Sequence, residues 1–568
     1  MEKEETQLIY RITHFTFQLC RKTSGVSLRL ESSQPDSSLR LENQLNDLLY
    51  SLKSYLLISE YQVEKNRYLD LLCFLFKLIA YTRDIYDGKG ERDLTYSMIM
   101  VWYKHFPSLS MYIFEKICST FGSWKDAKYL CHFIKHNANN FLSEEKQEKC
   151  LENIIQIMNT QLYNDITDTD QNNLSLIAKW IPREKSKFGW LYESLVKNWN
   201  QKFETETENP SQPSYKTYKK YRKILTSLNR KIDTPQIKQC ERKSHEINYY
   251  HVSLITKRKN TDYFLQNPTK YQSPKRRSDS SRESNRTKPI LNYDIGELYR
   301  ENENENNKNQ TKNGNILHWE RIREDINNRL ETDQEKYLLP ILDMTSNNIE
   351  DGIAISILLS EISEISNRIL TYDQKQAIWI SLENQLSLHD KKRQIQKHTI
   401  LSEYKTRNQK QNQTNNSINA IKCIIKSILE TKLPLEKIED MYLVFISDFA
   451  WLDKEYEYDH TSVLKGMFRE NGISKIPNII YWNISTEIVS ILPCSPITPN
   501  IIFLAGTASS NFHHLFEFSK RSDKSEEVSK RSDKSDKSDP INPFSYYNKI
   551  LNQEKYQPFE KYLRTLYR

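Results

Sequence analysis

The sequence predicts a multidomain protein, with a helical N-terminal half read as a HEAT-like array and a C-terminal α/β domain built on a doubly wound, mostly parallel sheet. Three observations predict it. The 568 residues exceed what one hydrophobic core usually organises, so two or more domains are expected. Up to about Phe203, apolar residues recur at three- and four-residue steps, the period of helices. From about Glu335 to Phe518, apolar strand-like runs alternate with amphipathic helical ones, the pattern of a parallel sheet covered on both faces.

In the first half the helical period covers Asn43 to Leu57, Tyr68 to Tyr81, Thr95 to Lys104, Ser108 to Thr120, Ser123 to His136, Ser143 to Gln161, Leu174 to Trp180 and Gly189 to Phe203. Glycine and proline fall mainly between these segments, and no strict repeat is present, so stacked helices are expected without a demonstrated solenoid period. Two junctions stand out: Asp84-Ile-Tyr-Asp-Gly-Lys-Gly-Glu-Arg-Asp93 and Phe121-Gly-Ser-Trp-Lys-Asp126. Lys89 sits between glycines but lacks the Gly-Lys-Ser/Thr ending of a nucleotide loop, so a helix corner is the expected role. His132 and His136 have zinc-compatible spacing but no evident third ligand, and packing is the simpler reading.

Bulk composition narrows the class. The chain is 37% hydrophobic and 27% charged, which permits packed domains with polar insertions. Its net charge of +8 arises from 82 basic and 74 acidic residues, so charge matters only where it clusters. The eight cysteines show no Cys-x-x-Cys pair, which points to a reducing compartment without structural zinc. The N-terminus is charged, and the most apolar stretch, Tyr68 to Thr82, is broken by Asp70 and Lys77 and is shorter than the about 20 residues a bilayer demands. An intracellular, soluble, cytoplasmic protein with no membrane association is expected.

Basic residues concentrate between Ser214 and Lys243, opposed only by Asp233 and Glu241. Lys216, Lys219, Lys220, Arg222, Lys223, Arg230 and Lys231 can neutralise phosphates, and Tyr215, Tyr218 and Tyr221, at three-residue steps, can stack on unpaired bases. This is the nucleic-acid candidate, with RNA as the partner; the alternative is a solvated helix whose tyrosines pack inward. Residues 256–334 read as a polar basic linker or insertion, where Lys257-Arg-Lys259 and Lys275-Arg-Arg277 would serve as a nuclear address or an RNA-binding arm. The expected domains are therefore a helical region over 1–255, that linker, an α/β domain over 335–518, a Lys/Ser/Asp repeat over 519–540 and a helical tail over 541–568.

Within the α/β domain the expected order is strand Lys336–Leu342, helix Ile353–Leu370, strand Ala377–Leu382, helix Asn416–Thr431, strand Met441–Ser447, helix Ser462–Arg469, strands Asn478–Asn483 and Asn500–Leu504, and helix Asn511–Phe518. In such sheets ligands bind beyond the carboxyl ends of the strands. Asp343 follows the first strand and Asp448 ends the strand Tyr442-Leu-Val-Phe-Ile-Ser447, while Thr345 and Asn347 follow Asp343 at alternate positions. This oxygen-rich set suits Mg2+ or Mn2+.

Asp343-Met-Thr-Ser-Asn347 resembles the Asp-x-Ser-x-Ser metal-ion-dependent adhesion site of von Willebrand factor A domains, with Thr345 and Asn347 in place of the serines. That resemblance implies two further ligands, a threonine matched by Thr414 and an aspartate matched by Asp448. In addition, Asp87-Gly-Lys-Gly-Glu-Arg-Asp-Leu94, Gly122-Ser-Trp-Lys-Asp126, Ala178-Lys-Trp-Ile-Pro-Arg-Glu184 and Tyr221 to Asp233 resemble segments of an uncharacterised family found in large DNA viruses of amoebae, plants and other eukaryotes. The family pairs a helical region, distantly similar to the TROVE module of the Ro RNA-binding autoantigen, with a von Willebrand factor A-like domain. The resemblance supports RNA binding at the level of fold, and together with the basic stretch and the metal constellation it leads to a first expectation of a non-catalytic ribonucleoprotein scaffold that holds RNA and engages an acidic group on a protein partner through a shared metal, in host cytoplasm or virion. Two alternatives remain at the sequence level: a viral structural or packaging protein, and a metal-dependent phosphohydrolase. Against the latter, Thr345 occupies the position where a second aspartate would stand.

Overall fold

The computed structural model describes residues 2–19, 36–137, 142–168, 174–203, 213–247, 252, 256, 260–267, 295, 319, 322, 323, 326, 337–365, 367–373, 376–383, 386–406, 417–452, 459–485, 489, 491–517 and 540–567. In chain order the helices begin with α1 (Glu2–Phe17), α2 (Asp36–Ile58), α3 (Gln62–Arg83), α4 (Asp93–His105), α5 (Pro107–Lys116), α6 (Lys125–Asn137) and α7 (Glu144–Thr167). They continue as α8 (Ile177–Trp180), α9 (Gly189–Lys202), α10 (Tyr215–Ile232), α11 (Pro235–Cys240) and α12 (Thr261–Gln266). The chain then forms β1 (Tyr337–Asp343), α13 (Ile349–Ile362), β2 (Arg368–Tyr372), β3 (Ala377–Ser381), α14 (Leu388–Thr406), α15 (Ser417–Thr431), α16 (Leu435–Glu439) and β4 (Met441–Ser447). The last elements are α17 (His460–Glu470), β5 (Asn478–Asn483), β6 (Ile501–Ala505), α18 (Ser510–Glu517), α19 (Pro543–Leu551) and α20 (Gln557–Leu566).

Two compact units result. One comprises residues 1–78, 87–89 and 292–568, the other 79–86 and 90–291. This differs from the expected boundary at 255, because the first three helices, as far as Leu78, group with the C-terminal sheet. The physical reason lies in their apolar faces: Phe17 at the end of α1 packs against Phe503 of β6 and Phe449, with ring centroids 4.7 and 5.5 Å apart. The Phe17 carbonyl also accepts a 2.8 Å hydrogen bond from the buried Asn483 side chain.

The sheet of this first unit has the order β3-β2-β1-β4-β5-β6. All pairings are parallel except that of β2 with the edge strand β3. Its central strands β1 and β4 are near-continuous apolar runs, as strands buried on both faces require. Helix α13 lies so close on the sheet that a Cβ at Gly352 would come within 2.7 Å of the Leu342 side chain.

Two expectations change here. The helix over Ile353–Leu370 is shorter, ending at Ile362, and Leu370 belongs to the unexpected strand β2. Asn367, with φ of 59°, turns the chain between them. Helix α14 was also not anticipated from the sequence.

The charges that interrupt the apolar stretch of α3 are paired within the same unit. Buried Lys77 donates to Glu560 and Asn552, and Asp70 accepts from Arg564, while Phe76 meets Phe559 edge-on. Among the described residues no helix is long and apolar enough to cross a membrane. Lys89, expected in a helix corner, is buried and donates to the Ala505 carbonyl at 2.9 Å, so its amine is not presented to a phosphate.

The second unit is all helical over its described residues. Its Gly122-Ser-Trp-Lys-Asp126 segment is a charge-stabilised corner. Asp126 is fully buried and accepts from Arg83 at 2.9 and 3.1 Å, from the Tyr96 hydroxyl at 2.8 Å and from the Ser123 amide at 2.8 Å. A side chain at position 122 would meet an Asp126 oxygen at 2.6 Å, which explains the glycine. Burial opposes ionisation of Asp126, yet Arg83, Arg92 and the Tyr96 hydroxyl hold its carboxyl below the usual range.

Candidate metal centre and nucleic-acid interface

Strands β1 and β4 are neighbours at the point where the strand order reverses, so the chain leaves their carboxyl ends in opposite directions and opens a crevice there. Asp343 is the last residue of β1 and only 1% exposed. One of its oxygens accepts from the Thr345 amide at 2.9 Å and the Thr345 hydroxyl at 2.6 Å, and the other from the Ser447 hydroxyl at 2.7 Å. Asp448 accepts from the Asn347 amide at 2.8 Å and the Ala450 amide at 3.1 Å, and its own amide donates to Ser346 at 3.0 Å. Phe449, at a φ of 54°, swings the chain away immediately afterwards.

The structure thus brings Asp343, Thr345, Asn347 and Asp448 together, with Thr345 and Asn347 exposed and the intervening Ser346 turned inward. Thr414 lies outside the described residues, as do Lys257-Arg-Lys259 and Lys275-Arg-Arg277. Sequence reasoning missed Ser346, Ser447 and Tyr372. A hydroxyl immediately before Asp448 was a readable signal for Ser447. Tyr372 was hidden because β2 itself was read as helix, yet it pairs directly with Asp343 in the sheet register.

The electrostatics of this crevice are unbalanced. Burial raises the Asp343 carboxyl above its ordinary range, hydrogen bonds from Thr345 and Ser447 oppose that, and the Asp448 charge adds to it. Among the described residues neither aspartate meets a basic side chain. The Tyr372 hydroxyl is buried close to Ser447 and Trp451 without a well-formed hydrogen bond, and burial with the Asp343 charge drives its pKa well up. Two uncompensated carboxylates, exposed hydroxyl and amide oxygens and an orphaned phenol fit a hard divalent cation. Among the described residues no group of three or more His, Cys, Asp or Glu side chains is placed to hold a metal, so a cation here would need hydroxyl, amide and water oxygens to complete its shell.

The basic stretch forms α10 in the second unit, capped by Ser214 and ended by Asp233 in the left-handed conformation. Lys216, Lys219, Lys220, Arg222, Lys223, Arg230 and Lys231 are all exposed, with Arg222 paired to Glu184 at 3.1 Å. The tyrosines do not form one stacking stripe. Tyr215 is 74% exposed and Tyr218 half-buried, whereas Tyr221 is a core residue that cannot meet a base. Its hydroxyl donates to Asn159 at 2.9 Å, and its ring packs against Tyr192 and Trp199. The correction follows from helix geometry: residues six apart lie about 120° apart around the axis, so Tyr215 and Tyr221 face different surroundings. His132 and His136 stand with rings 4.3 Å apart beside Phe188, with no third ligand among the described residues.

A family described as a domain of unknown function (DUF7788) matches residues 339–559. The match begins in β1 and runs into α20, so it spans the whole sheet with both aspartates. No curated protein and no solved structure matches the chain.

Proposed function

We propose that the protein is a non-catalytic RNA-binding scaffold. In this reading its helical region is TROVE-like, and its α/β domain is of von Willebrand factor A type and engages an acidic group on a protein partner through Mg2+ or Mn2+. The observation that carries the interaction half is the pair of carboxylates, Asp343 and Asp448, at the sheet's switch point with no cationic partner among the described residues. Asp343, Thr345, Asn347 and Asp448 would hold the ion, directly or through water. A bound divalent cation supplies an open coordination position that a partner carboxylate can fill. The protein's own groups only hold and orient: Ser447 and Thr345 fix the Asp343 carboxylate, and the Asn347 and Ala450 amides fix Asp448. The RNA half rests on the exposed basic face of α10.

Thermal unfolding in Mg2+, Mn2+ or chelator tests the metal: the native protein should be stabilised by the ion and Asp343→Ala should not. Identical responses would show the crevice to be a relic. For RNA, crosslinking followed by sequencing of the bound nucleic acid should recover RNA whose affinity falls steeply with salt; recovery of none ends the scaffold reading.

A further inference from the structure

In the second unit, aromatic rings from α6, α8 and the segment before α9 are surrounded by amines that the α10 reading does not use. The Tyr129 ring carries the Arg92 guanidinium at 5.1 Å and the Lys128 amine at 5.4 Å. Lys128 also lies 5.4 Å from the Trp180 ring and 5.0 Å from Phe188, over which Lys187 sits at 5.2 Å. Tyr129 and Trp180 are half-buried and Phe188, whose ring meets Tyr129 edge-on at 5.8 Å, is buried.

The two lysines of this collection lack acids. Among the described residues Lys128 and Lys187 meet no carboxylate, and the nearby Asp126 is already committed to Arg83 and Arg92. Burial, followed by repulsion from Lys187 and Arg92, lowers the Lys128 pKa, and burial also lowers that of Lys179. Amines resting on ring faces are the arrangement left to cations without anions. Helix α8 also packs on α10, where Asn229 donates to the Ala178 carbonyl at 3.0 Å, so the patch continues toward the basic helix.

We infer that Tyr129 and Trp180 are base-stacking platforms for single-stranded RNA, with Lys128 and Lys187 taking the flanking phosphates. A single strand suits both kinds of group: its phosphates draw the amines off the rings, and its bases then stack on the ring faces the amines leave. A phosphoprotein would satisfy only the amines, and a duplex would keep its bases stacked away from the rings. This inference rests on the RNA-binding reading above and locates its base-contacting site.

The test is fluorescence anisotropy with the full chain and a labelled oligouridylate, beside an abasic ribose-phosphate strand of equal length and inorganic polyphosphate as competitor. Trp180→Ala should weaken oligouridylate binding by roughly tenfold and leave the abasic strand unaffected. Because Trp180 is half-buried, the exposed Lys187→Glu variant guards against misfolding; it should weaken both strands and lower the salt slope by about 0.7 per lost phosphate contact. If native protein binds oligouridylate but Trp180→Ala and Lys187→Glu bind it equally well, while Lys219→Ala/Lys223→Ala does not, the patch is overturned and the scaffold reading survives on α10. Full competition by polyphosphate with no preference for bases overturns the stacking role. If native protein binds no RNA at all, both fail.

Discussion

Two buried aspartates in this protein live under opposite electrostatic terms. Asp126, in the helical unit, is surrounded by Arg83, Arg92, the Tyr96 hydroxyl and a backbone amide. Asp343, in the α/β unit, receives only neutral donors and faces a second carboxylate, Asp448. Both are withdrawn from water, yet one is held below and the other above the usual carboxylate range. A buried charge whose partners come from its own chain is part of the architecture. One whose compensation is missing is a candidate functional site, and on the function proposed above it is where a cation would sit.

The sharpest way to break this contrast is to remove each carboxylate. Asp126→Ala strands Arg83 without its partner and should cost the helical unit about 3–5 kcal/mol, read by denaturant unfolding followed with amide hydrogen exchange. Asp343→Asn, measured in chelator, should be neutral or stabilising because it relieves repulsion with Asp448. A large destabilisation there would refute the unbalanced-site picture.

Acid titration should separate the two further. A carboxyl with a depressed folded pKa binds fewer protons than in the unfolded chain, so the Asp126 contribution is lost as pH falls through its folded pKa. Asp343 has a raised folded pKa and binds more protons when folded, so its contribution declines as pH rises from the unfolded to the folded value. Mg2+ should reverse that decline in the native protein and not in Asp343→Asn.

A third buried group offers a comparison within the α/β unit. His460 is bonded to Ser417 and Tyr481, both at 2.8 Å, and burial depresses its pKa to about 4. Folding then excludes a proton that the unfolded chain accepts, so stability should rise between pH 4 and 6.5, with a slope approaching about 1.4 kcal/mol per pH unit. His460→Gln should flatten that slope. The smallest effect is expected from Asn347→Ser, which replaces the exposed amide with a hydroxyl and should tighten Mg2+ binding by roughly a few-fold, read as a larger ion-induced shift in Tm.

What was legible in the sequence follows how local each signal is. Strand β4 and the placement of Asp343 and Asp448 came directly from contiguous apolar runs ending in a carboxylate. Strand β2 was lost because its apolar residues continue the helical period of α13 past Asn367, and nothing in an asparagine-rich chain announces the left-handed turn there. Of the two readings the sequence leaves open for the α10 tyrosines, Tyr221 follows the inward-packing one, because a three-residue step drifts around the helix and only tertiary packing decides which ring it buries. The Tyr129, Trp180 and Lys187 grouping was invisible because its members come from three separate segments. The assignment of α1 to the sheet was equally hidden, since Phe17 and Phe503 are nearly a whole chain apart.

The ion pair between Lys77 and Glu560 joins residues 483 positions apart. During synthesis, at about 5–20 residues per second, roughly 25 to 100 s elapse between the emergence of the two. Throughout that interval α3 carries an amine destined for burial whose counterion has yet to be translated, and residues 90–291 are completed before it is halfway over. The helical unit is therefore finished first, as an insert in the chain of a unit whose Lys77 gains its partner only once α20 has been made.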